Sequence, residues 1–376
     1  MKKHLVLGAL AVLALAACTK SEVVELNKGN EISLTAVTGK NLTKAHDGYC
    51  NSDMPDDFAV WAATDGKKYF EAQTYTRDGS TNTYKCANTY YWPSTAVDFF
   101  AAKNYGASAS LTATGTTSLS VADYTVTTTV AEQKDFIYAV NKSASKPTGG
   151  AAATLNFRHA LSQIEFQAKN SRSNIYVEVS GVTIKNVYSK GNFSVNVATT
   201  GNYENDTHDD TADTDERSGR CTWAGQAAKE NYAISFGAVA LGSDATSLSV
   251  ADDSGKEYNA RTMYLIPQTV PNLWGGTGKP NTGDAYFEIT ADIWNVAGVS
   301  VNKSTDVQLH TGTIAVPIPA STVWADGLRY VYTFNFTTTG TGGVDPGTGD
   351  PVLTPIELTV TIDDFVDAGN TDVDVK

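Results

Sequence analysis

Hydrophobic and polar residues alternate with a period of two along most of the chain. Clear examples are "EISLTAV" at 31–37, "FEITADI" at 287–293, "YVYTFNF" at 330–336 and "IELTVTID" at 356–363. Alternation enriched in Thr, Val, Tyr and Phe is typical of strands with one buried and one solvated face. Clusters of Gly, Asn, Asp and Ser separate these segments, and helical periodicity is scarce. The pattern predicts an all-β protein, most simply one built of antiparallel β-sandwiches.

Three polar stretches interrupt the alternation. Residues 202–220 are rich in acidic side chains and poor in apolar ones, so we expect a solvated loop or insertion there. Residues 337–351 are rich in Gly, Thr and Pro, which favours a flexible connector to the strand that follows. Residues 141–153 are rich in Gly, Ser and Pro and lie between apolar strands. We place a domain boundary there, with one domain at 45–150 and a second at 151–376.

The N-terminus has the pattern of a bacterial lipoprotein signal. Two lysines precede an apolar run at residues 5–17, which is shorter than the roughly 20 residues that span a bilayer. The run ends in "LAAC" at 15–18, which fits the lipobox, where the chain is cut before the cysteine. We expect a signal peptide at 1–17 and a lipid on Cys18 that holds the protein at the outer membrane. An ordinary signal peptide with a coincidental cysteine is the alternative.

The composition argues against several classes of function. The formal net charge is −13, and removal of residues 1–17 takes away two lysines and no acid, which leaves −15. This charge disfavours nucleic acid and anionic membrane surfaces as partners. The sequence has no GxSxG, no HExxH, no P-loop and no GxGxxG that opens a helix. We therefore predict neither an enzyme nor a bound cofactor.

Isolated polar residues give weak candidates for sites. His159 lies in the strand-like "FRHALSQIEF", where we expect a packed or hydrogen-bonded side chain and no metal ligand. The aspartates of 202–220 could collect calcium, but their spacing lacks the glycine turn and terminal Glu of an EF-hand. Cys50 and Cys86 could form a disulfide in an exported chain, or could remain buried thiols.

Six tryptophans raise the alternative of sugar binding. Trp61 and Trp92 lie in apolar surroundings that are typical of a core, whereas Trp274 lies in the loop-like "NLWGGTG". Trp274 is thus the best exposed candidate for stacking on a sugar ring. The second hypothesis is accordingly a surface lipoprotein that stays lipid-anchored and binds glycans through Trp274.

An ordered set of segments resembles a known family. After the lipobox come "FAVWAA", "YYWPSTAVDFFAA", "DFIYAV", "LNFRHALSQIEFQ", "YLIPQ" and a closing "LTVTIDDFVD". In this order and spacing they resemble the fimbrillin (Mfa-like) proteins of Bacteroidetes, the subunits of type V pili, over nearly the whole mature chain. The resemblance implies two tandem transthyretin-like antiparallel β-sandwich domains. It also implies a structural or accessory pilin, stalk or tip, that serves adhesion to a host or glycan ligand from a cell-surface fimbria.

The resemblance further implies assembly with other pilin subunits by strand exchange. In the family a protease cuts after a basic residue that follows the first strand. Removal of that strand opens a groove, which the C-terminal strand of another subunit fills. Here the first strand would be a plug within a propeptide at 18–44. Its inward-facing residues would be Ile32, Leu34 and Ala36.

The cleavage site and the donor strand follow from the same resemblance. The cut would fall between Lys44 and Ala45, and because family members often carry arginine there, the lysine implies a trypsin-like protease. The donor strand would be 356–365. Its groove-filling residues would be Ile356, Leu358, Val360 and Ile362. If Lys44 is not cut, the chain would instead remain a pilus-anchor or other surface lipoprotein.

Overall fold

The computed structural model describes residues 30–38, 54–106, 109–197, 221–249, 261–298, 300–338 and 342–364. In these residues the protein is all-β, which confirms the prediction from the alternating pattern, and only two short 3-10 helices accompany the strands. None of the described helices is long and apolar enough to cross a membrane.

The elements are numbered in chain order. Those before residue 160 are β1 (Leu34–Thr38), β2 (Asp57–Thr64), β3 (Lys67–Arg77), β4 (Thr83–Cys86), β5 (Val97–Lys103), β6 (Ala109–Thr112), β7 (Ser118–Thr125), η1 (Val130–Glu132), β8 (Ile137–Ala144), η2 (Thr148–Gly150) and β9 (Ala153–His159). Those after it are β10 (Ser162–Asn170), β11 (Ile175–Asn196), β12 (Thr222–Ala240), β13 (Thr246–Ser247), β14 (Met263–Leu265), β15 (Gln268–Thr269), β16 (Tyr286–Asn295), β17 (Val307–Val316), β18 (Val323–Trp324), β19 (Leu328–Phe336), β20 (Gly342–Val344) and β21 (Pro351–Asp364).

Seven strands of the first half form a closed barrel in the order β1-β4-β3-β2-β5-β8-β9. Neighbouring strands are antiparallel, except that β1 runs parallel to β9. β1 therefore closes the barrel by pairing with β4 on one side and β9 on the other. Closure leaves this sheet without a free edge.

Most other strands form a 12-stranded sheet with the main path β13-β10-β19-β21-β20-β17-β16-β11-β7-β6. β12 and β14 pair with β11 and β10 beside this path, and β15 pairs with β18 separately. The 22-residue β11 holds the sheet together, because it pairs with β12, β16 and β7 along its length.

The change from barrel to sheet falls between His159 and Ser162, while β6 and β7 join the large sheet from within the first half of the chain. The division into domains at residues 150 and 151, and the transthyretin-like arrangement of each, stay predictions.

Side chains alternate between the two faces of each barrel strand, and they form two hydrophobic cores, one on each face. The barrel interior contains Val60, and the neighbouring Trp61 points the other way, into a larger core between the barrel and the large sheet. Both faces of β2 are therefore covered, which explains the nearly continuous apolar run "FAVWAA" at 58–63. The larger core continues to Phe166 of β10 and Ile289 of β16.

The expected connector at 337–351 is a tight turn over its second half. The N–H of Asp345 donates to the carbonyl of Asp350, and the N–H of Gly349 donates back to the carbonyl of Asp345. Gly349 has φ +83°, and a Cβ there would lie 2.5 Å from the backbone nitrogen of Lys279, so only glycine fits. From residue 342 onward the expectation of a flexible tether is therefore wrong, since β20 and β21 form a hairpin.

Candidate functional site

The first strand lies in the barrel wall with its apolar side facing inward. Ile32, Leu34 and Ala36 are 5%, 0% and 0% exposed, whereas the residues between them are partly exposed. Leu34 lies opposite Tyr84 of β4 and Ala153 of β9. These three side chains face the barrel interior, and their role as a removable plug stays a prediction.

Main-chain hydrogen bonds extend the attachment beyond β1 itself. The N–H of Ile32 donates to the carbonyl of Tyr90, and the N–H of Trp92 donates to the carbonyl of Asn30, both at 2.8 Å. The whole described segment 30–38 is thus paired with the barrel. Such main-chain pairing is the interaction on which strand addition depends.

Three aromatic rings lie in the same core as the small side chain of Ala36. Tyr84 on β4 lies opposite the residue two before Ala36, and Phe157 on β9 lies opposite the residue two after it. The ring of Phe58 contacts both, with centroids 4.6 Å from Tyr84 and 4.9 Å from Phe157. All three rings are buried in the barrel core.

The predicted processing residues lie outside the described part of the chain. They are Cys18, Lys44 and Ala45. Cys50 and the acidic stretch 202–220 lie outside it as well. Cys86 is partly buried, with its Sγ 3.9 Å from Oε1 of Gln73. Cys86 is a free cysteine in the structure, which thus has the thiol alternative at this residue and not the disulfide.

The predicted donor segment forms the greater part of β21 and is paired within the large sheet. Nine register pairs join it to β19, from Phe336 opposite Ile356 to Leu328 opposite Asp364. β20 pairs with β21 only at Ile356 and Pro351. Among the described residues, β21 beyond Ile356 therefore has a partner strand on one side only.

The four groove-filling candidates share one face of β21, as alternation requires. Ile356 is 2% exposed and Ile362 is 36% exposed, while Leu358 and Val360 are partly buried against the larger core. Burial thus decreases toward the end of the strand. The segment is docked on its own chain and is least covered at its far end.

Trp274 is not an exposed stacking platform. It is 4% exposed and packs with Tyr286, Ala315 and Val344 in a small separate core, with its ring centroid 5.9 Å from that of Tyr286. The expectation of an exposed Trp274 is therefore wrong. The small core that buries the ring is built from β16, β17 and β20, and its Val344 belongs to a stretch with the composition of a linker.

His159 is packed and hydrogen-bonded, as expected. Its Nδ1 lies 2.8 Å from Oδ2 of Asp135, and both side chains are buried. Within the described residues, no group of three or more His, Cys, Asp and Glu side chains could hold a metal ion.

A cleft of about 430 Å³ lies where the end of β5 meets β7, and sequence reasoning missed it. Its lining includes Tyr105, Asp123, Tyr124 and Glu132. Asp123 in this lining is paired with Lys190 at 3.0 Å. The lining residues come from separate segments without a common motif, so no local pattern marks them.

The family of the protein is established by sequence comparison. A profile of the family described as fimbrillin-like matches residues 24–364. The chain belongs to the fimbrillin-like family. That family comprises structural fimbrial subunits, so the protein is a fimbrial subunit of the cell surface.

Several solved structures of adhesion proteins are similar at low identity. A Bacteroides uniformis protein provisionally assigned to cell adhesion is 13% identical, and the match covers 89% of this chain and 99% of that one with a TM-score of 0.43. A Parabacteroides distasonis protein with the same assignment is 12% identical, with coverages of 91% and 99% and a TM-score of 0.44. The tip fimbrial protein Mfa3 from Porphyromonas gingivalis, with a C-terminal truncation, is 11% identical, with coverages of 89% and 100% and a TM-score of 0.40. No curated protein matches significantly.

Proposed function

We propose that the protein is exported as a lipoprotein on Cys18 and joins a fimbria by protease-triggered strand exchange. The observation that carries the proposal is the position of β1, which is buried in the barrel wall yet ends only six residues before Lys44. A cut after Lys44 separates this strand covalently from the barrel it closes. The same cut frees the body from its lipid anchor.

After such a cut, β1 is held only by its pairing with β4 and β9 and by its buried side chains. Its departure uncovers two strand edges with an apolar interior between them. A groove of this kind accepts an extended strand, because main-chain hydrogen bonds supply affinity and alternate side chains fill pockets.

The outer part of β21 has the pattern of a donor for another subunit. Apolar residues on one face alternate with Glu357 and Thr359 on the other, which suits main-chain pairing combined with pocket filling. To act as a donor, β21 has to leave β19. Its single neighbouring strand beyond Ile356 lowers the cost of that release.

A terminal or accessory position in the fibre is the second candidate. The specific observation in its favour is the nine-pair register between β21 and β19, which keeps the donor strand within its own chain. A subunit that stays lipid-anchored follows if Lys44 is not cut. A lipid-anchored protein that binds glycans through Trp274 loses its main support, because the Trp274 side chain is buried.

Limited trypsin digestion of residues 19–376 tests the proposal, with Lys44→Gln as the matched control. We expect a new N-terminus at Ala45 that the control lacks, and we expect the cut protein to exchange its plug for an added labelled peptide of residues 30–38. Heat-sensitive multimers on an unheated denaturing gel would indicate a stalk subunit, and their absence an end or accessory subunit. No cut near Lys44, or no exchange after the cut, would overturn the proposal.

A further inference from the structure

We infer that the groove under β1 fits a donor strand with two large inward residues followed by a small one, supplied by a different subunit and not by a second copy of this chain. The inference rests on the proposed function, since the groove exists only once β1 leaves. It deepens that function by identifying the kind of partner that the groove accepts.

The groove has three side-chain sites, which β1 fills in the order large, large, small. Ile32, Leu34 and Ala36 occupy them, and all three are buried. A strand that replaces β1 in full has to place side chains in the same three sites, because alternate residues of an extended strand point inward.

The third site has little room for a larger side chain. Ala36 lies directly opposite Leu155 of β9, and both are 0% exposed. The same barrel core contains the buried rings of Tyr84, Phe58 and Phe157, which lie on β4, β2 and β9. Extra methyl groups in a packed core force shifted rotamers and backbone, which is destabilising.

The chain's own β21 does not match these sites. With Ile356 and Leu358 in the first two sites, Val360 falls in the third. Other registers in either direction that keep all three sites apolar place Leu or Ile there. These residues are larger than Ala36, so every such register overfills the third site.

Two registers of β21 place Thr354 in the third site, and each brings another unfavourable residue into the groove. In one direction Pro355 then lies between the sites, where it lacks the N–H that a strand paired on both sides needs. In the other direction Asp350 enters the first site and places a charge in an apolar interior. Both registers are therefore disfavoured.

The pairing of β21 is a second and independent observation. Nine register pairs with β19 and the burial of Ile356 hold the strand in its own sheet. A second copy would have to give up this pairing in order to fill a groove that its residues overfill. A partner subunit with a large-large-small strand has no such mismatch in the groove.

Peptide exchange into the trypsin-cut protein tests the inference. The probes are labelled peptides of the plug (30–38), of β21 (354–364) and of β21 with Val360→Ala, and binding is followed by fluorescence anisotropy. We expect the Val360→Ala peptide to bind at least about tenfold more tightly than the unchanged β21 peptide. Thr361→Ala, on the opposite face of the strand, is the control and should change little.

The size of the third site is tested separately with plug peptides. Ala36→Val should weaken exchange by about tenfold or more, whereas Thr35→Val on the outward face should not. Equal binding of the unchanged and Val360→Ala β21 peptides, or of the unchanged and Ala36→Val plug peptides, would overturn the inference while plug exchange persists. If the unchanged plug peptide itself fails to exchange, the proposed function and the inference fail together.

Discussion

Ala36 of β1 lies directly opposite Leu155 of β9 in parallel strands, and neither side chain is exposed to solvent. The other neighbouring strands of the barrel are antiparallel, in the order β4-β3-β2-β5-β8-β9. β1 therefore completes a sheet whose remaining six strands stay paired without it. A strand in this position can be essential for closing the core and still be removable without breaking the pairing of its neighbours with one another.

Leu34→Ala should lower the free energy of unfolding by about 2–5 kcal/mol, because it empties a fully buried position. Thr35→Ala, on the outward face of the same strand, should cost less than about 1 kcal/mol. Urea denaturation followed by tryptophan fluorescence measures both. Similar losses for the two variants would contradict the inward orientation of Leu34.

Two buried tyrosines in the barrel should respond in opposite directions to loss of the hydroxyl. The Tyr84 hydroxyl donates to the carbonyl of Pro55 at 2.7 Å. The Tyr75 hydroxyl is buried and has no hydrogen-bond partner among the described residues. Tyr84→Phe should therefore destabilise the protein by about 1 kcal/mol, and Tyr75→Phe should be neutral or stabilising by about 1 kcal/mol. Thermal unfolding of the pair in one buffer checks the difference in sign.

Alkaline pH should destabilise the protein through its buried tyrosines. Burial raises the pKa of Tyr286 from 10.0 to about 12, with Glu288 adding to the effect. Burial also raises the pKa of four other tyrosines: Tyr75, Tyr124, Tyr232 and Tyr332. A raised pKa means that the unfolded chain loses the proton first, so this stability is present below pH 10 and declines as the pH rises toward 12.

Paired titrations measure this pH effect. Unfolding free energy should fall above pH 10, and tyrosinate absorbance of the folded protein should lag behind that of the urea-unfolded chain. The Tyr286→Phe variant should show a smaller loss over the same range. Coincident tyrosinate curves for folded and unfolded protein would contradict the argument.

The alternating pattern predicts which side chains of β1 and β21 share a face, because the two-residue period is a local property of an extended chain. It does not predict that β1 runs parallel to β9 or that β21 lies beside β19, because pairing depends on residues far away in the sequence. Trp274 illustrates the same limit. Its glycine-rich surroundings suggest a loop, whereas its burial depends on Tyr286, Ala315 and Val344, which lie farther along the chain.

Trp274→Ala should lower the free energy of unfolding. The side chain is buried in the small core with Tyr286 and Val344, so its removal should cost about 3–5 kcal/mol. Trp274→Phe should cost less, since it retains most of the ring. Differential scanning calorimetry with and without a panel of soluble glycans checks this. A glycan-dependent shift that disappears only in Trp274→Ala would restore the sugar-binding alternative.

Val360→Ala in the full chain should allow self-assembly that the natural sequence lacks. The substitution gives β21 the large-large-small order of Ile32, Leu34 and Ala36, so a second copy then fits the groove. After trypsin cleavage, we expect heat-sensitive multimers for this variant and few or none for the unchanged chain. Thr361→Ala, on the opposite face of β21, is the matched control, because it leaves Ile356, Leu358 and Val360 unchanged.

An engineered disulfide between β19 and β21 distinguishes strand exchange from other modes of association in the Val360→Ala protein. Thr333 of β19 lies directly opposite Thr359 of β21, and facing positions on antiparallel strands come close enough for a disulfide. With both residues changed to cysteine, oxidation before trypsin cleavage should prevent the multimers and later reduction should allow them, whereas Thr333→Cys alone should have no effect. Multimers that form while the disulfide holds β21 on β19 would mean that assembly does not require β21 to leave β19. The association would then run through some other surface, and β21 could not be the donor.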